Sequence, residues 1–127
     1  MFADASFWVA IADSRDQWHN RAKKVIDQVV PGTRLLDLAA SEALTIVGSR
    51  KGGKPARELY QVFLDSCAMI FLDDELLDLA MERHLRHDGA LSVADCATVE
   101  AMVRFDDRTI LSFDADFDSI KGFERIH

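Results

Sequence analysis

Five short apolar runs alternate along this chain with longer segments whose apolar residues recur at helical spacing, and this alternation limits the possible folds more than any other feature. The runs predicted as strands are FADA, TRLLDLA, AMIFL and RTILSF, with FERI as a short final strand. Strands that are apolar on both faces and separated by helices are typical of parallel sheets that are covered on both sides. Right-handed crossovers place those helices on the two faces. The sequence therefore predicts an α/β fold with a largely parallel sheet.

The segments between the runs carry signals for where helices begin and end. Ser6 is the predicted N-cap of the helix SFWVAIA, and Ser92 that of SVADCATVEAMVRF, whose first turn contains Asp95. The helix SEALTIVGS has Glu42 in its predicted first turn. The stretch SRKGGKPA is the clearest predicted loop, because glycine and proline interrupt both helices and strands. No repeat or proline-rich linker divides the chain, so we expect one domain over residues 1–127.

The charge composition excludes some classes of function. With a formal net charge of −7, the chain is not expected to coat nucleic acid regardless of sequence, since such proteins are basic. A nuclease whose site holds divalent cations stays possible, as does ordinary solubilising surface charge. The apolar stretches are too short to span a bilayer, and no basic region precedes the apolar N-terminus. We therefore expect a cytoplasmic protein without a membrane segment.

Acidic residues lie where the predicted strands end and where the following helices begin. Asp4 and Asp114 end strands, Glu42 and Asp95 lie in first helical turns, and Asp116 comes two positions after Asp114. Ligands of an open parallel sheet bind outside the carboxyl ends of its strands, so these side chains are expected to converge. Each acid alone is also explained by the helix dipole or by ordinary exposure. Several unpaired carboxylates raise one another's pKa, and a hard divalent cation removes that repulsion, so the set predicts a metal site.

These residues and their surroundings resemble the PIN-domain family, and most closely the toxin ribonucleases of VapBC-type toxin–antitoxin pairs. ADASFWVAIAD resembles the opening motif, AASEALTIV the second acidic motif, and ALSVADCATVEAMV the third. TILSFDADFDSIKGFERI resembles the closing strand with its Asp-x-Asp-Phe element. The resemblance covers essentially the whole chain. It implies a single PIN domain over residues 1–127, with a three-layer α/β/α fold and a mainly parallel sheet of about five strands.

The resemblance also implies an activity. The chain would be a metal-dependent endoribonuclease, the toxin of a type II toxin–antitoxin system, which hydrolyses RNA phosphodiesters with a water activated by Mg²⁺ or Mn²⁺. Its partners would be RNA, a cognate VapB-type antitoxin and a second copy of itself in a homodimer. Ser112 stands where the family often has threonine, so the hydroxyl is retained. The implied site consists of catalytic metal ligands, one further metal ligand and two supporting hydroxyls: Asp4, Glu42, Asp95 and Asp114; Asp116; Ser6 and Ser112.

Basic and aromatic residues give less specific signals. Arg50, Lys51, Lys54 and Arg57 form the densest basic cluster, and the first three are the candidates for contact with RNA phosphates, although such a run is more often simply a solvated loop. Five aromatic residues at helical spacing are predicted to pack in the core or at a subunit contact rather than to stack on bases. They are Trp8, Trp18, Tyr60, Phe63 and Phe105.

Three other functions remain open at this point. A PIN ribonuclease of RNA processing would share all these motifs without being a toxin. A non-catalytic PIN binding domain would lack one of the four principal acids, whereas all four are present. A phosphoacceptor domain of the receiver type would need paired acids after the first strand and a lysine after a late one. Here Asp4 stands alone, the first lysine after TILSF is Lys121, and only Asp73 after AMIFL favours that class.

Overall fold

The computed structural model describes residues 1–127 and is built around one parallel sheet. Its five strands stand in the order β3-β2-β1-β4-β5, and every adjacent pair is parallel. This confirms the predicted α/β fold and the sheet of about five strands. The strands are β1 (Phe2–Ala3), β2 (Thr33–Leu36), β3 (Cys67–Ile70), β4 (Thr109–Leu111) and β5 (Glu124–Ile126).

Six α-helices flank the sheet and complete the three α/β/α layers. Helix α3 packs on both α1 and α4, and α5 packs on α6. A 3₁₀ segment, Ile26–Gln28, extends α2, and a second one, Ala115–Ser119, which we call the 3₁₀ turn, follows β4. The α-helices are α1 (Ala5–Ala12), α2 (His19–Val25), α3 (Asp37–Lys51), α4 (Gly53–Ser66), α5 (Asp74–Arg86) and α6 (Val93–Arg104). No helix meets the length and hydropathy that a bilayer-crossing segment requires.

The predicted loop SRKGGKPA is wrong, because helices α3 and α4 are separated by a single residue, Gly52. Gly52 has a φ of +100°, a conformation that glycine adopts without the clash of a Cβ, so the chain can change direction there. Pro55 is the third residue of α4, where a backbone N–H would have no partner within the helix. Two glycines and a proline thus fit a tight junction between helices as well as a loop.

Two predicted helix starts are also wrong, and one is confirmed. Helix α3 begins at Asp37, so Glu42 lies in its second turn. The N-cap of α1 is Asp4 rather than Ser6, because the Asp4 carboxylate accepts the Ser6 backbone N–H at 3.3 Å. Ser92 caps α6 as predicted, accepting the Asp95 N–H at 3.0 Å.

The core is a continuous cluster of buried apolar side chains from the central strands and the inner faces of the helices. Trp8 and Phe63 lie in it with their rings 5.2 Å apart, as predicted for core residues. A core position is wrong for Trp18, Tyr60 and Phe105, which are 40%, 46% and 40% exposed. Large aromatic side chains are common on surfaces that bind other molecules, so these three are candidates for contacts with a ligand or a partner.

Candidate metal centre

The two central strands bring distant parts of the chain to the same edge of the sheet. In the β1–β4 register Ala3 lies opposite Leu111, and the Asp4 N–H extends the ladder by donating to the Leu111 carbonyl at 2.9 Å. Asp4 and Ser112 therefore leave the sheet side by side, and Asp114 follows two residues later. The carboxyl ends of parallel strands are where ligands of such sheets bind.

The Asp4 carboxylate is oriented by two serine hydroxyls. Its Oδ2 accepts hydrogen bonds from Ser6 Oγ at 2.8 Å and from Ser112 Oγ at 3.1 Å. The same hydroxyl oxygens accept backbone N–H groups from the segment after β4: Phe113 donates to Ser6 at 2.9 Å and Asp114 donates to Ser112 at 3.0 Å. The serines thus tie the end of β4 to Asp4 and hold its carboxylate in place without neutralising its charge.

Asp4 is the exception among the buried acids of this protein. Three carboxylate residues are less than 9% exposed: Asp4, Asp13 and Glu100. Asp13 pairs with Arg50 at 3.2 Å and Glu100 with Arg83 at 2.6 Å. No basic group pairs with Asp4. A buried charge without a partner is unfavourable, so Asp4 is where a cation would contribute most.

Three further carboxylates meet at the start of α6 and of the 3₁₀ turn. Asp95, Asp114 and Asp116 each present an oxygen, and these oxygens lie within 4.8 Å of one another. Asp114 caps the 3₁₀ turn by accepting the Asp116 N–H at 2.9 Å, which places both acids of the Asp-x-Asp element next to Asp95. Opposite ligands of one Mg²⁺ stand about 4.2 Å apart, so small side-chain movements would let the three contact a single ion.

The pKa values show that these acids share one electrostatic environment. The pKa of Asp95 is raised to about 6, first by burial and then by the charges of Asp4, Asp114 and Glu42, which together outweigh the lowering by the hydrogen bond with Ser92. The pKa of Glu42, at the exposed rim, is also raised, first by partial desolvation and then by the charges of Asp4 and Asp114. Carboxylates from four separate elements therefore repel one another across a short distance.

The pocket that contains these groups, which we call the acidic pocket, has a volume of about 610 Å³. All five predicted acids line it, together with Ser6. Its only basic lining residue, Arg50, is held by Asp13 at 3.2 Å and by Asp16 at 2.9 Å. Mg²⁺ and Mn²⁺ prefer carboxylate oxygens and water, and here such oxygens are concentrated without cations to balance them. The residues present therefore fit a divalent metal ion.

The structure separates the three basic residues that were predicted to contact RNA. Arg50 borders the acidic pocket, whereas the Lys51 Nζ donates to the Ala12 carbonyl at 3.2 Å and lines a neighbouring cleft. Lys54 is exposed in the first turn of α4 and lines none of the pockets. The helical junction at Gly52 causes this separation, because it sends Arg50 and Lys54 along two different helices.

Trp18 belongs to this site although its helical spacing predicted a core or subunit contact. Its indole lies parallel to the Phe113 ring, with the ring centroids 5.4 Å apart and an interplanar angle of 3°, and it lines the acidic pocket. The stack depends on a contact between residues far apart in the chain, and helical spacing carries no signal for that. Asp16, which also lines the pocket, was missed for the same reason.

Comparison with known families decides the identity of the fold. Residues 1–122 match the PIN domain. The chain belongs to the PIN-domain family. This PIN domain is 26% identical over 128 residues to the 23S rRNA-specific endonuclease VapC20 of two Mycobacterium tuberculosis strains, covering 99% of this chain and 97% of that protein.

A solved structure agrees with the family assignment. The PIN domain superposes with a TM-score of 0.89 on the crystal structure of M. tuberculosis VapC20, described as a toxin that cleaves the sarcin–ricin loop. The sequence identity there is 24%, and the match covers 98% of this chain and 97% of the other. The predicted family and the three-layer fold are confirmed, and the receiver-like alternative is wrong. The one residue in its favour, Asp73, is bound by Arg104 at 2.8 Å and does not line the acidic pocket.

Proposed function

We propose that this PIN domain is a metal-dependent endoribonuclease and the toxin of a type II toxin–antitoxin pair. The observation that carries the proposal is the acidic pocket, where carboxylates from separate elements meet without a cation to neutralise them. The names of the relatives support the toxin assignment, since both describe an endonuclease or cleaving toxin that acts on ribosomal RNA. A PIN ribonuclease of RNA processing is the alternative, and a neighbouring gene for a small DNA-binding antitoxin would decide against it.

The metal would be Mg²⁺ or Mn²⁺, held by Asp95, Asp114 and Asp116, with Asp4 and Glu42 lining the same pocket as further ligands. When bound, such an ion activates water for attack on a phosphodiester and neutralises charge on the phosphate oxygens. The protein's own part is positional. The serine hydroxyls hold Asp4 in place, and the short 3₁₀ turn fixes Asp114 relative to Asp116.

Trp18 is proposed to stack on a base of the RNA beside the scissile phosphodiester. Phe113 fixes the indole plane, and 40% of the Trp18 surface stays exposed at the pocket wall. Stacking on an aromatic ring contributes about 1–3 kcal/mol per base and tolerates any base. Arg50 is proposed to contact a phosphate at the rim, since its paired guanidinium keeps further N–H donors. Lys51 and Lys54 would extend this contact outward along α3 and α4.

The proposed partners are a VapB-type antitoxin, a second copy of the chain and RNA. One apolar groove lies between α1 and α4, and a second lies between α4 and the segment 26–31 that follows α2; Trp8 lines both. We propose that the antitoxin binds along these grooves. Cytoplasmic location and a single folding unit over residues 1–127 complete the proposal, the latter supported by one continuous core from Phe2 to Ile120.

The test is an RNA cleavage assay with purified protein. A 23S rRNA fragment containing the sarcin–ricin loop, tRNA and mRNA are incubated with Mn²⁺, with Mg²⁺ and with EDTA. We expect internal cleavage of at least one RNA with metal and none with EDTA. If the folded, metal-loaded protein cleaves none of them, or cleaves equally well in EDTA, the proposed function is wrong. Growth arrest on expression in bacteria, relieved by the adjoining gene product, distinguishes a toxin from a processing enzyme.

A further inference from the structure

A second pocket, of about 490 Å³, has a polar wall of opposite charge, and we call it the basic pocket. Its polar lining residues are Arg83, His87, Arg108, Ser119 and Lys121. No carboxylate lines it. In a chain with a net charge of −7, an accumulation of cations without lining acids shows that charge is segregated on the surface.

Two of its cations are available to a ligand. Lys121 is exposed and forms no ion pair. Arg108 approaches only Asp106, at 3.7 Å, and both side chains are largely in water, where such a pair contributes little. The Arg108 guanidinium lies over the Phe123 ring, 5.1 Å from its centroid, which keeps the charge at the pocket. Arg83 is different, because Glu100 holds it at 2.6 Å.

The basic pocket adjoins the acidic pocket through two shared segments. In the 3₁₀ turn, Asp116 lines the acidic pocket and Ser119 lines the basic pocket. The three-residue step from Asp116 to Ser119 corresponds to a rise of about 6 Å along a 3₁₀ helix. The turn after α5 has His87 in the basic wall and Gly89 in the acidic wall, at most about 7 Å apart along the chain. The two pockets therefore border the same two short segments of the chain.

We propose that the basic pocket binds a backbone phosphate of the RNA strand whose scissile phosphodiester lies in the acidic pocket. This inference rests on the proposed function. An RNA strand carries a phosphate at every nucleotide, and the acidic wall repels those that no metal ion neutralises. Cations placed one short segment away offset that repulsion and set the direction of the strand. An acidic peptide would also match the charge of the basic pocket. Its carboxylates would be repelled by the acidic pocket, whereas RNA places a metal-bound phosphodiester there.

The test compares two double variants that remove the same amount of charge. Arg108→Gln with Lys121→Gln changes the basic pocket. The matched control, Arg21→Gln with Lys24→Gln, also removes one arginine and one lysine, both exposed and outside the two pockets. Affinity for a fluorescent single-stranded RNA substrate is measured from 50 to 300 mM KCl. All proteins carry Asp95→Asn in the binding assay, so that the RNA stays intact.

We expect the basic-pocket variant to bind RNA several-fold more weakly at low salt. For this variant, the slope of the logarithm of the RNA association constant against the logarithm of the salt concentration should be smaller in magnitude by about 0.7 for each phosphate that is no longer neutralised. The control should keep the parental slope. In proteins with Asp95 restored, the same substitutions should raise KM for RNA cleavage with little change in kcat. Lys121→Gln alone provides a second variant that leaves the Arg108–Phe123 contact in place, should the double variant fold poorly.

Several outcomes overturn the inference. Equal weakening of RNA binding in the two double variants would mean that only net charge matters. An unchanged RNA slope combined with weaker binding of poly-glutamate would assign the pocket to an acidic protein partner. If the parental protein cleaves RNA and the basic-pocket variant keeps its KM and slope, only this inference fails. If the parental protein neither binds nor cleaves RNA, the proposed function fails, and the phosphate site fails with it.

Discussion

Asp4 and Asp73 occupy equivalent local positions and have opposite electrostatic surroundings. Each follows a strand and caps the next helix, Asp4 before α1 and Asp73 before α5. Arg104 binds both carboxylate oxygens of Asp73, at 2.8 and 3.1 Å, and this hydrogen bonding is the main reason that its pKa is lowered. Asp4 receives only hydroxyl and amide donors, although it is 6% exposed and Asp73 is mostly in water.

The difference shows which capping acid is purely structural. A cap needs only that the carboxylate accept N–H groups of the first helical turn, and both residues satisfy this. Asp73 is also paired with Arg104, and this ion pair contributes little to stability because water already screens the exposed carboxylate. Asp4 lacks such a pair where burial makes the charge unfavourable. A buried carboxylate that no basic residue pairs with is therefore a candidate for binding a cation.

The largest expected effect is on catalysis. Asp95→Asn should reduce the metal-dependent RNA cleavage rate by at least about a hundredfold, because transition-state charge stabilisation by a correctly held group is worth several kcal/mol. Asp73→Asn should leave the rate within about twofold, since it keeps the cap. Single-turnover cleavage with Mn²⁺ measures both. Equal activity of Asp95→Asn and wild type, with the fold intact by circular dichroism, would remove the distinction between the two acid sites.

The next effect is on stability with metal. Mn²⁺ at a hundred times its Kd should stabilise the wild-type protein by about 2.7 kcal/mol, and EDTA should reverse this. The stabilisation should largely disappear in Asp114→Asn and persist in Asp73→Asn. Thermal melts across a Mn²⁺ titration measure it. If the Asp114→Asn melting temperature rises with Mn²⁺ as much as that of wild type, the ion binds elsewhere.

Without metal, the contributions of Asp95 and Asp73 to the free energy of unfolding should change with pH in opposite directions. The pKa of Asp95 in the folded state is about 6, above its ordinary 3.8, so its stabilising contribution is complete below about pH 3.8 and is lost as pH rises through 6. Asp95→Asn should therefore exceed wild type in stability at pH 7 by on the order of 1–3 kcal/mol, with little difference near pH 4. Urea denaturation in EDTA at both pH values measures this.

Asp73 supplies the counterpart to that measurement. Its pKa is lowered, chiefly by Arg104, so its contribution is present above the ordinary value and is lost as pH falls. Asp73→Asn should be less stable than wild type at neutral pH and equal to it in acid. Two variants that shift stability in the same direction at pH 7 would contradict the assignment of unpaired and paired acids.

The smallest effect concerns the aromatic residue beside each region. Trp18 lies at the acidic pocket, and Phe105 is equally exposed, at 40%, under the guanidinium of Arg34. Trp18→Leu should weaken RNA binding about tenfold, equivalent to about 1.4 kcal/mol of stacking free energy, and Phe105→Leu should leave it unchanged. Fluorescence of Trp18 should be quenched by RNA, while buried Trp8 stays unaffected. Equally weakened RNA binding in both variants would contradict the stacking role.

Local patterns predicted the sheet and the helices well and their ends less well. The strands were recognisable because a fully buried strand requires an unbroken apolar run, as in Ile110 and Leu111. The junction at Gly52 was not, because the same glycines and proline fit a loop or a sharp change of helix direction. The cap of α1 was assigned to Ser6 instead of Asp4, since both residue types are good caps and only the chain direction at the strand end separates them.

The sequence by itself determined the layer architecture, the family and the set of acids that would approach one edge of the sheet. The architecture and the set of acids follow from apolar periodicity and from the order of strands and helices, and the family follows from the resemblance of the four acidic motifs to those of PIN domains. Only the tertiary structure decided which acids keep their charge unpaired. Pairing depends on whether an arginine from a distant element, such as Arg104 for Asp73, reaches the carboxylate, and no spacing along the chain records that distance.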